Sequence, residues 1–216
     1  MLTTLLQPSE GKVLVNGFSP FTQKNDVRRS LGIVFQDPSL DDELTAYENM
    51  MFHAALYGVP TNVAKERIDE LLHLVELREK KDQFVKTFSG GMKRRLEIAR
   101  GLIHHPKVLF LDEPTIGLDP QTRNFLRGYV QELNKKENMT IFLTTHYMEE
   151  VEKIANRVAI IDHGKIIDTG TVEELMKKTE TDSLEATFLK LTGLDIREEH
   201  GSGKDMMRMR HASMRR

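Results

Sequence analysis

Two adjacent acids follow an apolar run in the middle of the chain. Asp112 and Glu113 come directly after residues 108–111, VLFL, whose uninterrupted apolar character predicts a strand buried on both faces. Ligands of open α/β sheets lie at the carboxyl ends of the strands. There Asp112 could hold Mg²⁺, which prefers hard oxygen ligands, and Glu113 could polarise a water for attack on a phosphate. On this motif alone, the alternative that the two acids merely begin a loop stays open.

Polar side chains also follow two other apolar runs. Gln36 comes after residues 31–35, LGIVF, and His146 comes after residues 141–143, IFL, and two threonines. If these runs are neighbouring parallel strands, both side chains lie at the same edge of the sheet as Asp112. Gln36 could then reach a metal or a water, and His146 could hydrogen-bond a terminal phosphate. Taken singly, each would be an ordinary polar loop residue.

A serine and two glycines, Ser89, Gly90 and Gly91, form a third candidate site. Ser89 is a good helix N-cap, and the glycines let backbone N–H groups approach an anion closely at a helix N-terminus. The alternative is a capped helix with a flexible entry. The basic run that follows, residues 93–95, is expected to be a solvent-exposed helix face.

Local signals define the elements that must position these residues. Helices are predicted for the LTTLL stretch and after the N-caps Thr45, Ser89, Asp119 and Thr171, with another carrying the stripe Ile68, Leu71, Leu72 and Val75. Strands are predicted at 13–15, 31–35, 108–111 and 141–143, and a hairpin around 162–165. The alternation predicts an α/β fold with a mainly parallel sheet covered on both faces and an antiparallel hairpin added.

Composition narrows the function classes. The chain has 216 residues, a formal net charge of -2 and no cysteine. Disulfides and thiolate metal sites are therefore excluded, and no general charge excess predicts nucleic-acid binding. No apolar run approaches the length of a membrane span, so a role at a membrane is expected to come through a partner.

Taken together, the motifs resemble those of the nucleotide-binding subunit of an ATP-binding cassette (ABC) transporter, over roughly residues 1–195. Gln36 resembles the Q-loop glutamine, residues 108–113 resemble the Walker B strand with its catalytic glutamate, and His146 resembles the switch histidine. The resemblance implies a P-loop NTPase-like sheet with an α-helical signature subdomain at about 45–105. It also implies ATP and Mg²⁺ as ligands, with Glu113, His146 and Gln36 catalytic and Asp112 and Gln36 at the metal.

Two further segments resemble the parts of a cassette that act on a second cassette. Residues 88–92, FSGGM, resemble the signature LSGGQ with Phe88 and Met92 as departures, and residues 116–119 resemble the D-loop with isoleucine in place of the usual serine. The resemblance implies a head-to-tail dimer, identical or mixed, in which Ser89, Gly90, Gly91 and Asp119 bind the nucleotide of the opposite cassette. It places a membrane-spanning subunit on residues 46–57, and the protein in the cytoplasm at the inner face of the cell membrane.

One expected motif is absent from the sequence. A cassette needs the phosphate-binding loop G-x-x-x-x-G-K-[ST], and the Gly-Lys pairs at 11–12, 164–165 and 203–204 do not fit it. The opening resembles the stretch after that loop, so the N-terminal strands and the loop are expected to be missing and the chain to be inactive alone. The alternative is a degenerate, non-hydrolytic cassette that supplies its signature motif to a complete partner.

The end of the sequence bears on the transported substrate. Residues 184–193, LEATFLKLTG, resemble the LEDVFLxLTG ending of drug-export ATPases of the daunorubicin-resistance type, with Ala186 and Thr187 as departures. The resemblance implies export of a drug, lipid or similar amphiphile, powered by ATP hydrolysis, through a separate membrane subunit. Residues 196–216 are basic and rich in methionine, and are expected to form a poorly ordered extension.

Overall fold

The computed structural model describes residues 1–193, except for the side chains of residues 136 and 137. The chain forms two compact units, Met1–Ile154 and a second that begins at Ala155. The described elements of the first unit are α1 (Lys24–Ser30), β1 (Leu31–Val34), α2 (Ala46–Leu56), α3 (Thr61–Leu74), α4 (Gly90–Gly101), β2 (Val108–Asp112), α5 (Pro120–Glu137), β3 (Thr140–Thr144) and α6 (Met148–Ile154). The predicted extension at 196–216 lies outside the described residues.

A parallel sheet of order β1-β2-β3 organises the first unit. Val34 pairs with Leu111, and Asp112 pairs with Thr144, so the three strands end at one edge. The three helices α2, α3 and α4 connect β1 to β2, and α5 connects β2 to β3. The prediction of a mainly parallel α/β fold is confirmed.

The two faces of the sheet are covered unequally. Leu109 and Leu111 point into the main core, which includes Leu96 and Ile98 of α4 and Leu126 of α5. Among residues 1–193, the opposite face packs only on a small cluster around Val15, Val27 and Leu31, and Phe142 on that face is 46% exposed. The prediction that β2 and β3 are buried on both faces was therefore wrong, because in the described structure helices cover one face far more fully than the other.

Two predicted elements near the N-terminus are also absent from the structure. Residues 2–6 form turns rather than a helix, and Thr4 has a φ of 67°, which a right-handed helix excludes. Residues 13–15 form no strand, and only an isolated antiparallel bridge joins Val15 to Phe18 across Asn16 and Gly17. Both segments are too short to hold regular structure without packed neighbours.

The predicted helix starts are confirmed. Thr45 and Thr171 each accept a hydrogen bond from the N3 backbone and receive the reciprocal bond of a capping box, from Glu48 and Glu174 respectively. Ser89 caps α4 by accepting from the Met92 N–H, and Asp119 caps α5. These contacts lie within three residues of each cap, and the sequence alone was therefore enough to locate them.

Close contact between β1 and α4 depends on Gly32. A Cβ there would lie 2.5 Å from the carbonyl oxygen of Gly101 and 2.9 Å from Leu109. We expect Gly32→Ala to lower the free energy of unfolding by about 2 kcal/mol, as overpacking does. Gly128→Ala in α5, where a Cβ meets nothing within 4 Å, should be neutral or stabilising. Urea unfolding curves of the two variants test this, and equal midpoints would contradict it.

The second unit contains β4 (Val158–Asp162), β5 (Lys165–Gly170), α7 (Val172–Thr179) and α8 (Leu184–Thr192). Strands β4 and β5 form the predicted hairpin, as a separate two-stranded sheet. Its turn residues His163 and Gly164 have φ values of 45° and 73°, and positive φ at both positions is what a type I′ turn requires.

Candidate functional site

The carboxyl edge of the parallel sheet carries four of the predicted site residues. Asp112 is the last residue of β2 and Glu113 follows it, while Gln36 lies two residues after β1 and His146 two residues after β3. We call Gln36, Asp112, Glu113 and His146 the sheet-edge group. The strand register places them at one edge because Asp112 pairs directly with Thr144 and Val34 pairs with Leu111.

Glu113 and His146 form the most specific contact of this group. Oε1 of Glu113 lies 2.9 Å from Nδ1 of His146, a hydrogen bond in which the ring N–H donates to the carboxylate. The Glu113 N–H donates to the Thr144 carbonyl oxygen at 3.1 Å, which anchors the turn to β3. Oε2 of Glu113 is buried and has no hydrogen-bond partner. The carboxylate is therefore held from one side, through Oε1.

The backbone of Glu113 is unusual as well. Its φ of 44° lies in the left-handed region, which a residue with a Cβ rarely adopts. Such conformations persist only where the surrounding structure holds them, and they cluster at functional sites. The turn thus directs Glu113 towards His146 instead of letting the chain continue along the strand.

Asp112 is the candidate metal ligand. The hydroxyl of Thr144 donates to its Oδ1, and the side chain is exposed at the sheet edge. Within residues 1–193, no cluster of three or more His, Cys, Asp or Glu side chains could hold a metal ion. The set Asp112 and Gln36 fits Mg²⁺ because that ion takes few protein oxygens and keeps water and phosphate ligands.

Ser89, Gly90 and Gly91, which we call the SGG turn, form the second group together with Asp119. A Cβ on Gly90 would meet nothing within 4 Å, so its backbone faces open space. Gly91 packs against Thr122 of α5, where an added Cβ would lie 3.0 Å from Oγ1. That hydroxyl donates to Asp119 at 2.7 Å, and the hydrogen bonds from Thr122 lower the pKa of Asp119. The N-termini of α4 and α5 therefore lie side by side. The Asp119 carboxylate, which is an acceptor, is thus close to the backbone N–H groups of the SGG turn.

Arg94 links the SGG turn's helix to the sheet edge. Its Nε donates to the Pro114 carbonyl at 2.9 Å, its Nη2 to the Asp112 carbonyl at 2.8 Å, and its Nη1 to the Phe35 carbonyl. The expectation that residues 93–95 are a solvent-exposed face was wrong. Arg94 is 6% exposed because α4 lies between the sheet and the other helices, and this position faces the strand ends.

Glu97 balances the charge of Arg94 inside the protein. It is buried, its Oε2 lies 3.3 Å from Nη1 of Arg94, and its Oε1 accepts from the Ser39 N–H at 2.7 Å. Burial lowers the pKa of Arg94, and the Glu97 carboxylate opposes that shift. The loop from Gln36 to Ser39 is therefore tied to α4 by the same ion pair.

A second buried acid, Glu150, joins the loops on either side of the Glu113–His146 pair. Its Oε2 accepts from the Thr115 hydroxyl at 2.9 Å, and the Thr145 hydroxyl lies 3.5 Å away. Arg123 lies 3.9 Å from its other oxygen and stacks over the ring of Tyr147. Glu150 thereby holds the segments that precede α5 and α6.

The sequence reasoning missed Arg94, Glu97 and Glu150. A signal for the first two was present, because Arg94, Glu97, Ile98 and Gly101 recur at helical spacing on the side of α4 opposite its apolar stripe of Met92, Leu96, Ala99 and Ile103. Small and apolar residues on that second side indicate a helix buried all round, on which opposite charges three residues apart would pair. No comparable local signal marks Glu150.

Comparisons with known proteins agree with this geometry. Residues 1–116 match the family profile described as ABC transporter. The chain is 40% identical over 198 residues to the linearmycin resistance ATP-binding protein LnrL of Bacillus subtilis, covering 92% of this chain and 62% of that protein. It is 42% identical over 175 residues to the daunorubicin/doxorubicin resistance ATP-binding protein DrrA of Streptomyces peucetius, covering 81% and 53%. The chain thus spans less than two thirds of the length of these two relatives.

Solved structures give the same result for the fold. An ATP-binding subunit of an ABC transporter superposes with a TM-score of 0.80 at 26% identity, covering 89% of this chain and 80% of that one. An ATP-binding cassette, described as a dimer in a post-hydrolysis state bound to ADP and Pi, superposes with a TM-score of 0.68 at 25% identity, covering 78% and 76%. The P-loop NTPase-like prediction for the fold is confirmed.

Proposed function

This chain belongs to the ABC transporter family of ATP-binding proteins, and on that premise we propose that it is the ATP-hydrolysing subunit of an exporter. The observation that carries the proposal is the Glu113–His146 hydrogen bond of 2.9 Å beside Asp112, at the carboxyl ends of parallel strands. A held carboxylate, a histidine and a candidate metal ligand at one sheet edge match the needs of phosphoryl transfer to water.

We propose a role for each member of the sheet-edge group. Glu113 polarises the attacking water through its carboxylate, which His146 holds in place at Oε1. His146 orients Glu113 through Nδ1–H, which leaves Nε2 of the ring for a contact with the nucleotide. In the neutral ring Nε2 accepts from a water, and in the doubly protonated ring it donates to a phosphate oxygen. Gln36 supplies an amide to the water or the metal.

Mg²⁺ fits the side-chain oxygens of Asp112 and Gln36. Asp112 would hold Mg²⁺ directly or through water, with the Thr144 hydroxyl fixing one carboxylate oxygen, and Gln36 would complete the protein's contribution. When bound, Mg²⁺ neutralises charge on the nucleotide phosphates. The nucleotide we propose is ATP.

A second cassette is the proposed partner at the SGG turn. Helix α4 begins there, a Cβ at Gly90 would meet nothing within 4 Å, and the N-terminus of a helix suits a phosphate. The turn lies on a different element from the sheet-edge group, which suits action on a nucleotide held by another chain. The similar cassette of known structure is described as a dimer.

A membrane-spanning subunit is the other proposed partner. Phe52 and Leu56, one turn apart on α2, are 62% and 66% exposed, and form an apolar surface on the helix that we propose docks the membrane subunit. No helix within residues 1–193 is both long and apolar enough to cross a bilayer itself. We therefore propose a peripheral position at the inner face of the cell membrane.

The transported substrate is proposed from the names of two relatives. Two of them are named for resistance to linearmycin and to daunorubicin or doxorubicin. With the resemblance of residues 184–193, this supports export of a drug, lipid or similar amphiphile. Substrate choice would rest with the membrane subunit.

Two assays test the proposed activity. The complex assembled on this protein in its source cell should release phosphate from ATP when Mg²⁺ is present. The purified 216-residue chain should not exceed a blank, because its sequence contains no G-x-x-x-x-G-K-[ST] loop to hold the phosphates. A complex without ATPase activity would overturn the proposed function. ATPase activity of the chain alone, lost on Glu113→Gln, would overturn its proposed inactivity.

The Glu113–His146 pair favours this proposal over the non-hydrolytic alternative. A cassette that only supplies its SGG turn to a partner has no use for an oriented carboxylate and histidine. In this chain both residues are present and in contact.

A further inference from the structure

We propose that Arg94 is a positioning residue that couples the SGG turn to the loops carrying Gln36 and Glu113. The inference rests on the proposed function, because it concerns how one cassette's contact with the opposite nucleotide reaches its own hydrolytic residues. Arg94 itself contacts carbonyl oxygens and Glu97, so it acts through the loops it holds.

The first reason for this proposal is the set of carbonyl oxygens that Arg94 holds. Its guanidinium reaches the carbonyl just before Gln36, on Phe35, and those on either side of Glu113, on Asp112 and Pro114. A guanidinium is planar and its N–H groups have fixed directions, so a shift of the group moves all three contacts together. One side chain thereby sets the relative position of the loops after β1 and β2.

The second reason for this proposal is the position of Arg94 on α4. It lies three residues after Gly91, and the SGG turn forms the N-terminus of the same helix. A displacement of the turn by a bound phosphate would move Arg94 as part of that rigid helix. Coupling between sites is carried by contiguous networks of this kind, with packed helices and buried hydrogen bonds.

Burial makes the link stiff. Arg94 is 6% exposed and Glu97 is 2% exposed, and Glu97 in turn holds the Ser39 N–H at 2.7 Å. In such surroundings the hydrogen bonds face little competition from water. The Gln36 loop is therefore held by this ion pair at Phe35 and Ser39, and Arg100 of α4 also donates to the Ser39 carbonyl at 2.7 Å.

The neighbouring Arg95 gives a matched control within the same helix. Its Nη1 donates to the Val75 carbonyl at 3.1 Å and to Glu76 at 3.0 Å, at the C-terminal end of α3. Arg95 is also largely covered by protein, with 18% of its side chain exposed. It resembles Arg94 in charge, length and helix position, but it holds neither of the two loops.

The test compares Arg94→Met with Arg95→Met in the assembled complex. We expect Arg94→Met to lower kcat about 10²-fold, the scale of loss that misplaced catalytic groups cause, with KM for ATP within about twofold. Arg95→Met should leave both constants within about twofold. Arg94→Lys should not restore kcat, because a single ammonium cannot reach three carbonyls. Equal effects of the two methionine variants would overturn the proposal.

A double variant separates positioning from simple charge balance. Arg94→Met leaves Glu97 buried without its partner, whereas Arg94→Met with Glu97→Leu removes the whole pair and should stay folded. We expect the double variant to melt cooperatively and still show the low kcat. Recovery of the wild-type kcat would show that Arg94 only neutralises Glu97, and would overturn the proposal.

Hydrogen exchange on the 216-residue chain tests the link without any ATPase activity. We expect faster amide exchange at residues 113, 115 and 116 in the double variant and no change there in Arg95→Met. Unchanged exchange in both would overturn the inference. If the assembled wild-type complex fails to hydrolyse ATP while the exchange difference is found, the proposed function fails and the role of Arg94 in holding the loops stands.

Discussion

Replacing Glu113 by glutamine in the assembled complex should nearly abolish ATP hydrolysis while ATP still binds. Glutamine has the same shape but cannot accept a proton from the attacking water, and general-base groups contribute about 10²–10⁴-fold. The expected loss therefore falls on kcat. Phosphate release under single-turnover conditions gives the rate of hydrolysis, and a separate binding measurement gives the affinity for ATP.

A second carboxylate provides the control for this variant. Glu149 lies in α6 close in sequence to His146, but its side chain is 86% exposed and its ion-pair distance to Lys153 is 3.8 Å. Glu149→Gln should keep kcat within about twofold, because exposed pairs contribute little. If Glu113→Gln also kept its kcat, Glu113 would not be the base, and the structure would leave the role of its oriented carboxylate unexplained.

Gly90→Ala should weaken action on the opposite cassette's nucleotide without unfolding the protein. A Cβ at Gly90 meets nothing within 4 Å in this chain, and alanine is a better helix former than glycine. The melting temperature should therefore stay equal or rise. The added methyl group would fill the open space beside the N–H groups, where we propose that a phosphate approaches, and we expect kcat to fall at least about tenfold because an anion contact of several hydrogen bonds is lost.

Gly91→Ala supplies the contrast, because its added Cβ meets the protein itself. It would lie 3.0 Å from Oγ1 and 3.2 Å from Cγ2 of Thr122, so α4 and α5 must shift apart slightly. We expect a lower melting temperature together with lower activity. Melting curves and ATPase rates of both variants test whether Gly90→Ala lowers activity alone and Gly91→Ala lowers both stability and activity. An active Gly90→Ala complex would contradict the proposed role of the SGG turn.

The helix starts marked by capping residues were predictable because they depend on residues near one another in sequence, whereas the helix at residues 2–6 and the strand at 13–15 were predicted wrongly. The capping boxes at Thr45 and Thr171, the caps Ser89 and Asp119 and the buried stripe of α3 are contacts within a few residues. The placement of Gln36, Asp112 and His146 followed from one further rule, that parallel strands end at the same edge. The catalytic and binding roles of these residues stay predictions.

The tertiary structure alone decided which side chains are buried and what they hold. The run at residues 93–95 looks solvated in the sequence, yet Arg94 is buried because α4 packs against two strand ends far away in the chain. Phe142 lies in an apolar run but is half-exposed, because one face of the sheet is thinly covered. Burial depends on long-range packing, and a local pattern of charged or apolar residues carries no record of the elements that will cover it.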